Sequence, residues 1–136
     1  MADNGLNIFQ VAGRAMSAQL IRMNTTASNL ANAGAISGSA DTAYRTIKPV
    51  FRTEYDKANG LATVNVEQIV TAGGDPTKLY DPSHPMADMD GNVFVSAVDE
   101  TRELVDMMET ARSYQNNVEV MQTAKSLILD TLKLGR

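Results

Sequence analysis

Residues 104–132 read LVDMMETARSYQNNVEVMQTAKSLILDTL, and this stretch decides the fold. Nine positions along it are separated by steps that alternate strictly between three and four residues. They are Leu104, Met107, Ala111, Tyr114, Val118, Met121, Lys125, Ile128 and Leu132, and all but Lys125 are apolar. This is the heptad spacing of a helix that lies along a partner helix. No Gly or Pro interrupts residues 99–134. The spacing therefore predicts one continuous helix of about 50 Å at 1.5 Å per residue.

The two ends of this helix carry residues that suit its dipole. Ser96 or Asp99 is expected to cap the start, because either side chain can accept hydrogen bonds from free backbone N–H groups. Glu100 and Glu103 follow at the positive end, and Lys133 lies near the negative end. Lys125, the one break in the apolar spacing, is expected to make a charge contact.

A second helix is predicted over residues 7–32. Asn7 and Gln10 have the spacing of a capping box, and Gly34 is a typical helix stop. Between them runs one apolar stripe, formed by Phe9, Ala12, Met16, Leu20, Met23, Ala27 and Leu30. The second half of this helix is rich in Asn, Thr and Ser, which have modest helix propensity. We therefore expect the helix to be disordered or frayed until another surface covers its stripe.

The middle of the chain changes to a period of two. Residues 44–55 and 61–72 alternate like strands, and Asn59-Gly60 between them predicts a hairpin turn. Pro49 places the first strand at a sheet edge. Residues 35–42 and 80–85 are predicted loops, and the turn at Asp90-Gly91 precedes a short strand at residues 93–95. The predicted fold is mainly α, with a small β-rich middle and long terminal helices that pair as a coiled coil. The predicted segments are residues 1–33, 34–98 and 99–136.

Composition narrows the possible functions. The 136 residues suffice for one ordinary domain, and eight Met with only 5% aromatics favour adaptable helix–helix contacts. A net charge of −4 without a basic cluster argues against nucleic acid and anionic membranes as partners. Cysteine is absent, which excludes disulfides and thiolate metal sites. The sequence contains no run of 18 apolar residues, so no membrane span is predicted. Its first residues lack the pattern of a secretory signal.

No constellation of residues predicts catalysis or a cofactor. His84 is the only histidine, and its neighbouring prolines favour a structural loop over a general base or metal ligand. The segment starting at Asp88 faintly resembles a calcium loop. However, Val93 and Asp99 stand where that loop requires Gly and Glu. The chain is therefore not expected to be an enzyme or to bind a metal or a cofactor.

The end of the C-terminal helix is apolar around much of its circumference. Leu127, Ile128 and Leu129 point in directions about 100° apart, and Leu132 and Leu134 extend them. One partner helix covers only one side, so the other sides need neighbouring molecules. Burying such side chains contributes about 1.5–3 kcal/mol each before the cost of ordering them. This predicts an assembly surface.

Residues 24–33, NTTASNLANA, resemble the N-terminal signature of the flagellar basal-body rod and hook proteins. The signature residues are Ser28, Asn29, Leu30, Ala31 and Asn32. Three further segments resemble the proximal-rod branch of that family. They are AYR at 43–45 leading to Val50-Phe51, YDPSHP at 80–85, and ARSYQNNVEV at 111–120, which continues through Lys125-Ser126 to LKLG at 132–135. The chain departs from the family pattern at Asn92 and at Ser96-Ala97.

The resemblance implies a structural subunit of the rod, the drive shaft of the bacterial flagellum that crosses the periplasm. Such subunits are exported through the flagellar type III apparatus without a cleaved signal peptide. The implied partners are other rod proteins and the adaptor that joins the rod to the inner-membrane ring, in a homo- and hetero-polymer. The expected assembly interface consists of Phe9, Met16, Leu20, Met23, Leu30, Leu104, Met107, Ala111, Tyr114, Val118, Met121, Leu127, Ile128 and Leu132. The alternative hypothesis is a soluble helical-hairpin adaptor or binding module that forms a closed oligomer.

Overall fold

The computed structural model describes residues 2–135, with side chains from residue 6 onward. The elements, in chain order, are α1 (Ala2–Ala31), β1 (Ile36–Ser37), β2 (Ile47–Asp56), β3 (Leu61–Thr71), β4 (Thr77–Tyr80), β5 (Asn92–Val95) and α2 (Glu100–Leu134). Two long terminal helices with small antiparallel sheets between them confirm the predicted class at this level. Among the described residues, 2–23, 49–68 and 108–135 form unit 1, and 24–48 and 69–107 form unit 2.

The start of α2 is set by Asp99. Its Oδ1 accepts a hydrogen bond from the backbone N–H of Arg102 at 3.1 Å, as an N-cap side chain does. The alternative start at Ser96 is wrong, because the backbone of Ser96 is held elsewhere. The Ser96 N–H donates to the carbonyl of Ala35 at 2.9 Å, beside the short pairing of β1 with β5. Ser96 therefore lies outside α2, which begins at Glu100.

The start of α1 differs from the prediction. The helix begins at Ala2, so Asn7 lies within it and is not its cap. No Pro interrupts the first turns. An Asn inside a helix costs only a few tenths of a kcal/mol, which does not stop the helix. The other end agrees with the prediction to within one residue, because α1 ends at Ala31 and Gly34 follows with a φ of 73°.

The predicted hairpin is confirmed. Strands β2 and β3 form a two-stranded sheet, joined by a turn at residues 57–60 in which Gly60 has a φ of 64°. Both strands are edges in such a sheet, which explains why Pro49 is tolerated. Within unit 1, Arg14 of α1 holds the hairpin. Its Nη1 donates to Glu54 Oε2 and to Thr63 Oγ1, both at 3.1 Å.

Unit 2 contains a three-stranded antiparallel sheet in the order β1-β5-β4. The central strand β5 confirms the predicted strand at residues 93–95, and Val93 within it is completely buried. Residues 35–42 were predicted to be a loop throughout, and this is wrong at β1. Strand β4 was also not predicted. A two-residue strand is too short to show a period of two, and all four residues of β4 are exposed, so it shows no burial alternation.

Neither helix, within the described part of the chain, is long and apolar enough to cross a membrane.

Candidate functional site

Asn29, in the last turn of α1, is the centre of the signature segment. Its side chain is 1% exposed. Its Nδ2 donates to the carbonyl of Ile47 and to Glu103 Oε2, both at 2.9 Å. Its Oδ1 accepts from the hydroxyl of Tyr44 at 2.8 Å and from the N–H of Ile47 at 2.9 Å. An amide side chain has two donors and two acceptor sites, so every one of them is used.

This arrangement joins three separate parts of unit 2. They are the end of α1, the chain entering β2, and the first turn of α2. Buried polar groups are stable only when they are fully paired, and a fully paired cluster fixes one geometry. We call Asn29, Tyr44, Ile47 and Glu103 the Asn29 cluster. Its role is to hold the two helix ends and the start of the hairpin in one arrangement.

The flanking signature residues finish α1. The Asn32 side chain donates to the carbonyl of Ser28 at 2.8 Å, and the same carbonyl accepts the backbone N–H of Asn32 at 3.1 Å. The Ser28 hydroxyl lies 3.2 Å from the Tyr44 hydroxyl. Because Tyr44 donates its proton to Asn29, Ser28 is the donor in that pair. The signature residues Leu30 and Ala31 make no comparable polar contact in the described structure; Leu30 is half-buried and Ala31 is exposed.

A second pair of polar side chains connects α1 to α2, about one turn before Asn29 in α1 and one turn after Glu103 in α2. Within unit 2, Thr26 Oγ1 donates to Asp106 Oδ2 at 3.1 Å, alongside the contact of Asn29 with Glu103. From the first of these contacts to the second, the residue number rises in α1 from 26 to 29 and falls in α2 from 106 to 103. The two helices are therefore antiparallel there. Glu103 is 4% exposed, and Asn29 supplies its hydrogen bond.

Small residues line the helices in unit 1. Ala12, Ala18 and Ala124 are buried, and an ion pair joins Arg22 to Glu109 at 3.8 Å. An open groove of about 550 Å³ lies between α1, the hairpin turn and α2. Its apolar lining is formed by Ile8, Val11, Ala12, Ala15, Leu61 and Val120. On both helices of unit 1 the buried apolar residues are therefore alanines.

The buried face of α2 is offset from its apolar stripe. Its most buried residues are Glu103, Thr110 and Ala124. Each precedes by one residue a position of the predicted stripe, namely Leu104, Ala111 or Lys125. One residue corresponds to a rotation of about 100° around a helix. The stripe therefore flanks the buried face of α2, and Leu104 is 53% exposed.

The residues of the expected assembly interface are all at least partly exposed. Those that are half-buried are Phe9, Met16, Met23, Leu30, Met107, Ala111, Tyr114, Val118, Met121 and Ile128. Four are exposed, namely Leu20, Leu104, Leu127 and Leu132. Leu129 and Leu134 are exposed as well, at the same end of α2. Lys125 is also exposed.

Sequence reasoning did not find Tyr44, Glu103, Thr26 or Asp106 as members of the site. The available signal was polar residues at helical spacing, with Thr26 and Asn29 three residues apart in α1 and Glu103 and Asp106 three residues apart in α2. Two polar runs with matching spacing can pair just as two apolar runs can. The prediction followed only the apolar residues.

The loop that contains His84 is a series of turns held by side-chain hydrogen bonds. His84 Nδ1 accepts the N–H of Met86 at 3.1 Å, so this nitrogen is occupied within the turn. Asp81 Oδ1 accepts the Ser83 hydroxyl at 2.7 Å and the Ser83 N–H at 3.2 Å, and these bonds lower the pKa of Asp81 below its ordinary value. These contacts give both side chains structural roles.

The supposed calcium segment is a turn of the same kind. Asp88 Oδ1 accepts the N–H groups of Asp90 at 3.0 Å and of Asn92 at 2.8 Å. Gly91 has a φ of 76°, and a Cβ there would lie 2.9 Å from the Cβ of Pro82. Among the side chains of residues 6–135, no three His, Asp or Glu are grouped so that they could hold a metal ion.

Comparison with known proteins decides the family. Residues 9–34 match the family model described as flagella basal body rod protein, and residues 89–134 match the model of the flagellar basal body rod FlgEFG protein C-terminal region. The flagellar basal-body rod protein FlgC of Salmonella typhimurium is 43% identical, over 96% of this chain and 98% of that protein. The chain belongs to the FlgC family of flagellar basal-body rod proteins.

Other FlgC proteins are similar in sequence to this chain over nearly the same extent. That of Yersinia enterocolitica is 42% identical over 96% of this chain and 98% of its own length. That of Buchnera aphidicola from Schizaphis graminum is 39% identical over 96% and 97%. Membership in the FlgC family makes the chain a structural subunit of the flagellar basal-body rod, and it is not an enzyme. The alternative of a closed-oligomer adaptor is not favoured. The two family models cover the helices that meet at the Asn29 cluster.

Proposed function

We propose that the subunit polymerises into the helical rod through its terminal helices, with the last turns of α2 buried between molecules. The observation that carries this proposal is the exposure of large apolar side chains at the end of α2. Leu127 is 60% exposed, Leu132 is 63% exposed and Leu134 is 88% exposed. Soluble monomers rarely leave such side chains uncovered in one place. Neighbouring subunits are the surfaces that would cover them.

The contacts of the two helices support a further part of the proposal, an antiparallel coiled coil. In unit 2 the helices contact each other through Thr26–Asp106 and Asn29–Glu103. In unit 1 Ala15 and Asn117 line the same groove. Small and polar residues at the contact leave the larger apolar side chains on its flanks. On this basis the other residues of the expected assembly interface, from Phe9 to Met121, serve contacts with neighbouring subunits.

We infer that the partners are other rod proteins, the adaptor to the inner-membrane ring and the flagellar type III export apparatus. The subunit would then be exported without a cleaved signal peptide and would function in the periplasm-spanning rod. Residues 1–33 and 99–136 would form the coiled-coil layer, and residues 34–98 would pack outside it.

Replacing the apolar end of α2 tests polymerisation. The double variant Ile128→Asp with Leu132→Asp places two charges on the face that neighbours would bury. Each lost apolar side chain removes about 1.5–3 kcal/mol, and burying an unpaired charge costs several kcal/mol more. We expect cells that carry only this variant to lose swimming motility and to assemble no rod.

The control is Gln122→Asp with Thr123→Asp, which adds the same charges to the same helix at exposed polar positions. These cells are expected to swim. Normal motility of the Ile128→Asp, Leu132→Asp cells would exclude the proposed interface. Circular dichroism of both purified variants checks that α2 still forms.

A disulfide tests the register of the helix pair. The chain has no cysteine, so the variant Ala15→Cys with Asn117→Cys carries only the intended pair. The two positions line one groove, and a disulfide needs Cβ atoms about 3.8 Å apart. We expect rapid closure within the monomer upon mild oxidation, detected as a mobility shift that reductant reverses.

The matched pair is Ala15→Cys with Gln115→Cys. Position 115 is exposed, and two residues rotate it by about 200° around α2. Closure of this pair as fast as that of the first pair would contradict the proposed register.

A further inference from the structure

The hairpin turn in unit 1 is organised by the carboxylate of Asp56. Its Oδ1 accepts the N–H of Ala58 at 2.9 Å, and its Oδ2 accepts the side-chain Nδ2 of Asn59 at 2.8 Å. The backbone N–H of Asn59 approaches Oδ1 at 3.4 Å. The bond from the Asn59 side chain, followed by that from the Ala58 backbone, holds the pKa of Asp56 below its ordinary value. The carboxylate is therefore charged at neutral pH and grips the Asn59 amide.

The backbone nitrogen of Gly60 is open to reaction with the side chain of Asn59. Asn59 is exposed, and Gly60 has a φ of 64°; apart from its two chain neighbours, no residue has an atom within 4 Å of the place where a Cβ would stand. Asparagine is a thermolabile residue, and glycine has no side chain that could hinder its own backbone nitrogen. Asn followed by Gly occurs twice in the chain, at Asn4-Gly5 and at Asn59-Gly60. The backbone of the first lies within α1, whereas that of the second forms a turn.

We propose that Asn59-Gly60 is a site of spontaneous deamidation, and that the Asp56 carboxylate slows the reaction by holding the Asn59 amide. The nitrogen of Gly60 attacks Cγ of Asn59 and a new N–Cγ bond closes a succinimide ring. The Cγ–Nδ2 bond breaks, and ammonia leaves with the proton that the Gly60 nitrogen loses. Water then opens the ring to aspartate or isoaspartate at position 59. No oxidant or other reactant is required.

The hydrogen bond explains why Asp56 controls the rate. For ring closure the Asn59 side chain must turn so that Cγ meets the Gly60 nitrogen, and the 2.8 Å bond to Asp56 then breaks. The product replaces the amide donor with a second negative charge beside Asp56. The pKa of Asp56 then rises, because the contact that lowers it most is lost. An isoaspartate also adds a backbone atom to the turn, which disturbs the register set by the turn.

Mass spectrometry of the full chain tests the proposal. The native protein is incubated at mildly alkaline pH, and trypsin then releases residues 58–78, which contain both Asn59 and Asn65. Asn65 precedes Val66 and serves as the internal reference. We expect the acid product to accumulate at position 59 and not at position 65. In the Asp56→Ala variant the rate at position 59 is expected to rise several-fold.

Two further variants separate the chemistry from loosening of the hairpin. Gly60→Ala strains the turn, because of its positive φ, yet its methyl group hinders the attacking nitrogen. Proposed ring closure predicts a slower reaction in this variant, whereas a loosened turn alone predicts a faster one. Asp90→Ala removes an acidic residue from a different turn and is expected to leave the rate unchanged. Equal rates in the native and Asp56→Ala proteins, or no acid product at position 59, would overturn the proposal.

Discussion

Buried polar residues outnumber buried apolar ones among the described side chains. The buried apolar residues are Ala12, Ala18, Ala43, Val93 and Ala124. The buried polar residues are Thr25, Thr26, Asn29, Ser37, Thr46, Thr63, Ser96, Glu103 and Thr110. Alanines bury little area, so apolar burial alone gives this interior little stability. Hydrogen bonds inside each unit therefore decide which residues cannot be replaced.

Asn29→Ala is expected to be the most damaging single change in unit 2. It leaves Glu103 without the donor at 2.9 Å and frees both backbone groups of Ile47. An unsatisfied buried group costs about 1–3 kcal/mol, and the loss at a charged group is larger. We expect the free energy of unfolding to fall by about 3 kcal/mol, measured by urea denaturation followed by circular dichroism.

Two smaller substitutions give losses of stability with which that of Asn29→Ala can be compared. Tyr44→Phe removes only the hydroxyl that donates to Asn29 and is expected to cost about 1 kcal/mol. Asn32→Ala removes one bond at the half-buried helix end and is expected to cost about 0.5–1 kcal/mol. A loss for Asn29→Ala no greater than that for Asn32→Ala would mean that the cluster does not hold unit 2 together.

The helices could be predicted from the sequence, but their buried face could not. Steps of three and four residues are a property of the helix itself, so they gave the existence and length of α2 correctly. Which face is buried depends on partners far away in sequence. A glutamate at position 103 is a poor candidate for burial until Asn29 is known to lie 2.9 Å from it. The family signature was likewise recognised by its letters, whereas its role appears only when Tyr44, Ile47 and Glu103 converge on Asn29.

The hairpin was predictable because its signal is local. Asn59-Gly60 supplies the turn, and the alternating strands lie directly on either side. Strands β1 and β4 pair with β5 across longer stretches of chain, at Ile36↔Val95 and Leu79↔Val93. Neither is long enough to carry a period of its own. Their pairing depends on tertiary contacts that no short window of sequence contains.

Helix α1 contains a glycine whose replacement is expected to stabilise it. Gly13 lies in the interior of the helix, and a Cβ there would meet no atom within 4 Å outside the local backbone. Alanine in a helix interior is favoured over glycine by about 0.5–1 kcal/mol. Gly13→Ala is therefore expected to raise the free energy of unfolding by that amount, measured by thermal or urea denaturation.

The opposite sign is expected at Gly91. Its φ of 76° and the 2.9 Å approach of a Cβ to Pro82 make Gly91→Ala destabilising by about 1–3 kcal/mol. If Gly13→Ala lowered the free energy of unfolding as Gly91→Ala is expected to do, the assignment of Gly13 to an unstrained helical position would be wrong.

At the scale of the whole molecule, the subunit carries many uncovered apolar side chains. Besides the end of α2, they include Leu20 in α1, Phe51 and Tyr55 in β2, and Tyr80 in β4. A monomer gains nothing from these side chains, whereas an assembled subunit can bury them. For such a chain the stability of the isolated subunit and that of the assembled subunit are different quantities, and the difference is the contribution of its neighbours.

Hydrogen exchange of the dilute monomer measures this difference along α1. We expect weak protection of the amides in residues 7–32, because this helix is held by alanines and polar residues rather than by a large apolar core. The exception is the last turn, where the fully paired Asn29 slows local opening. Upon incorporation into the rod, protection is expected to spread to the whole helix. Strong protection throughout residues 7–32 in the dilute monomer would contradict this, since α1 would then need no neighbour to become ordered.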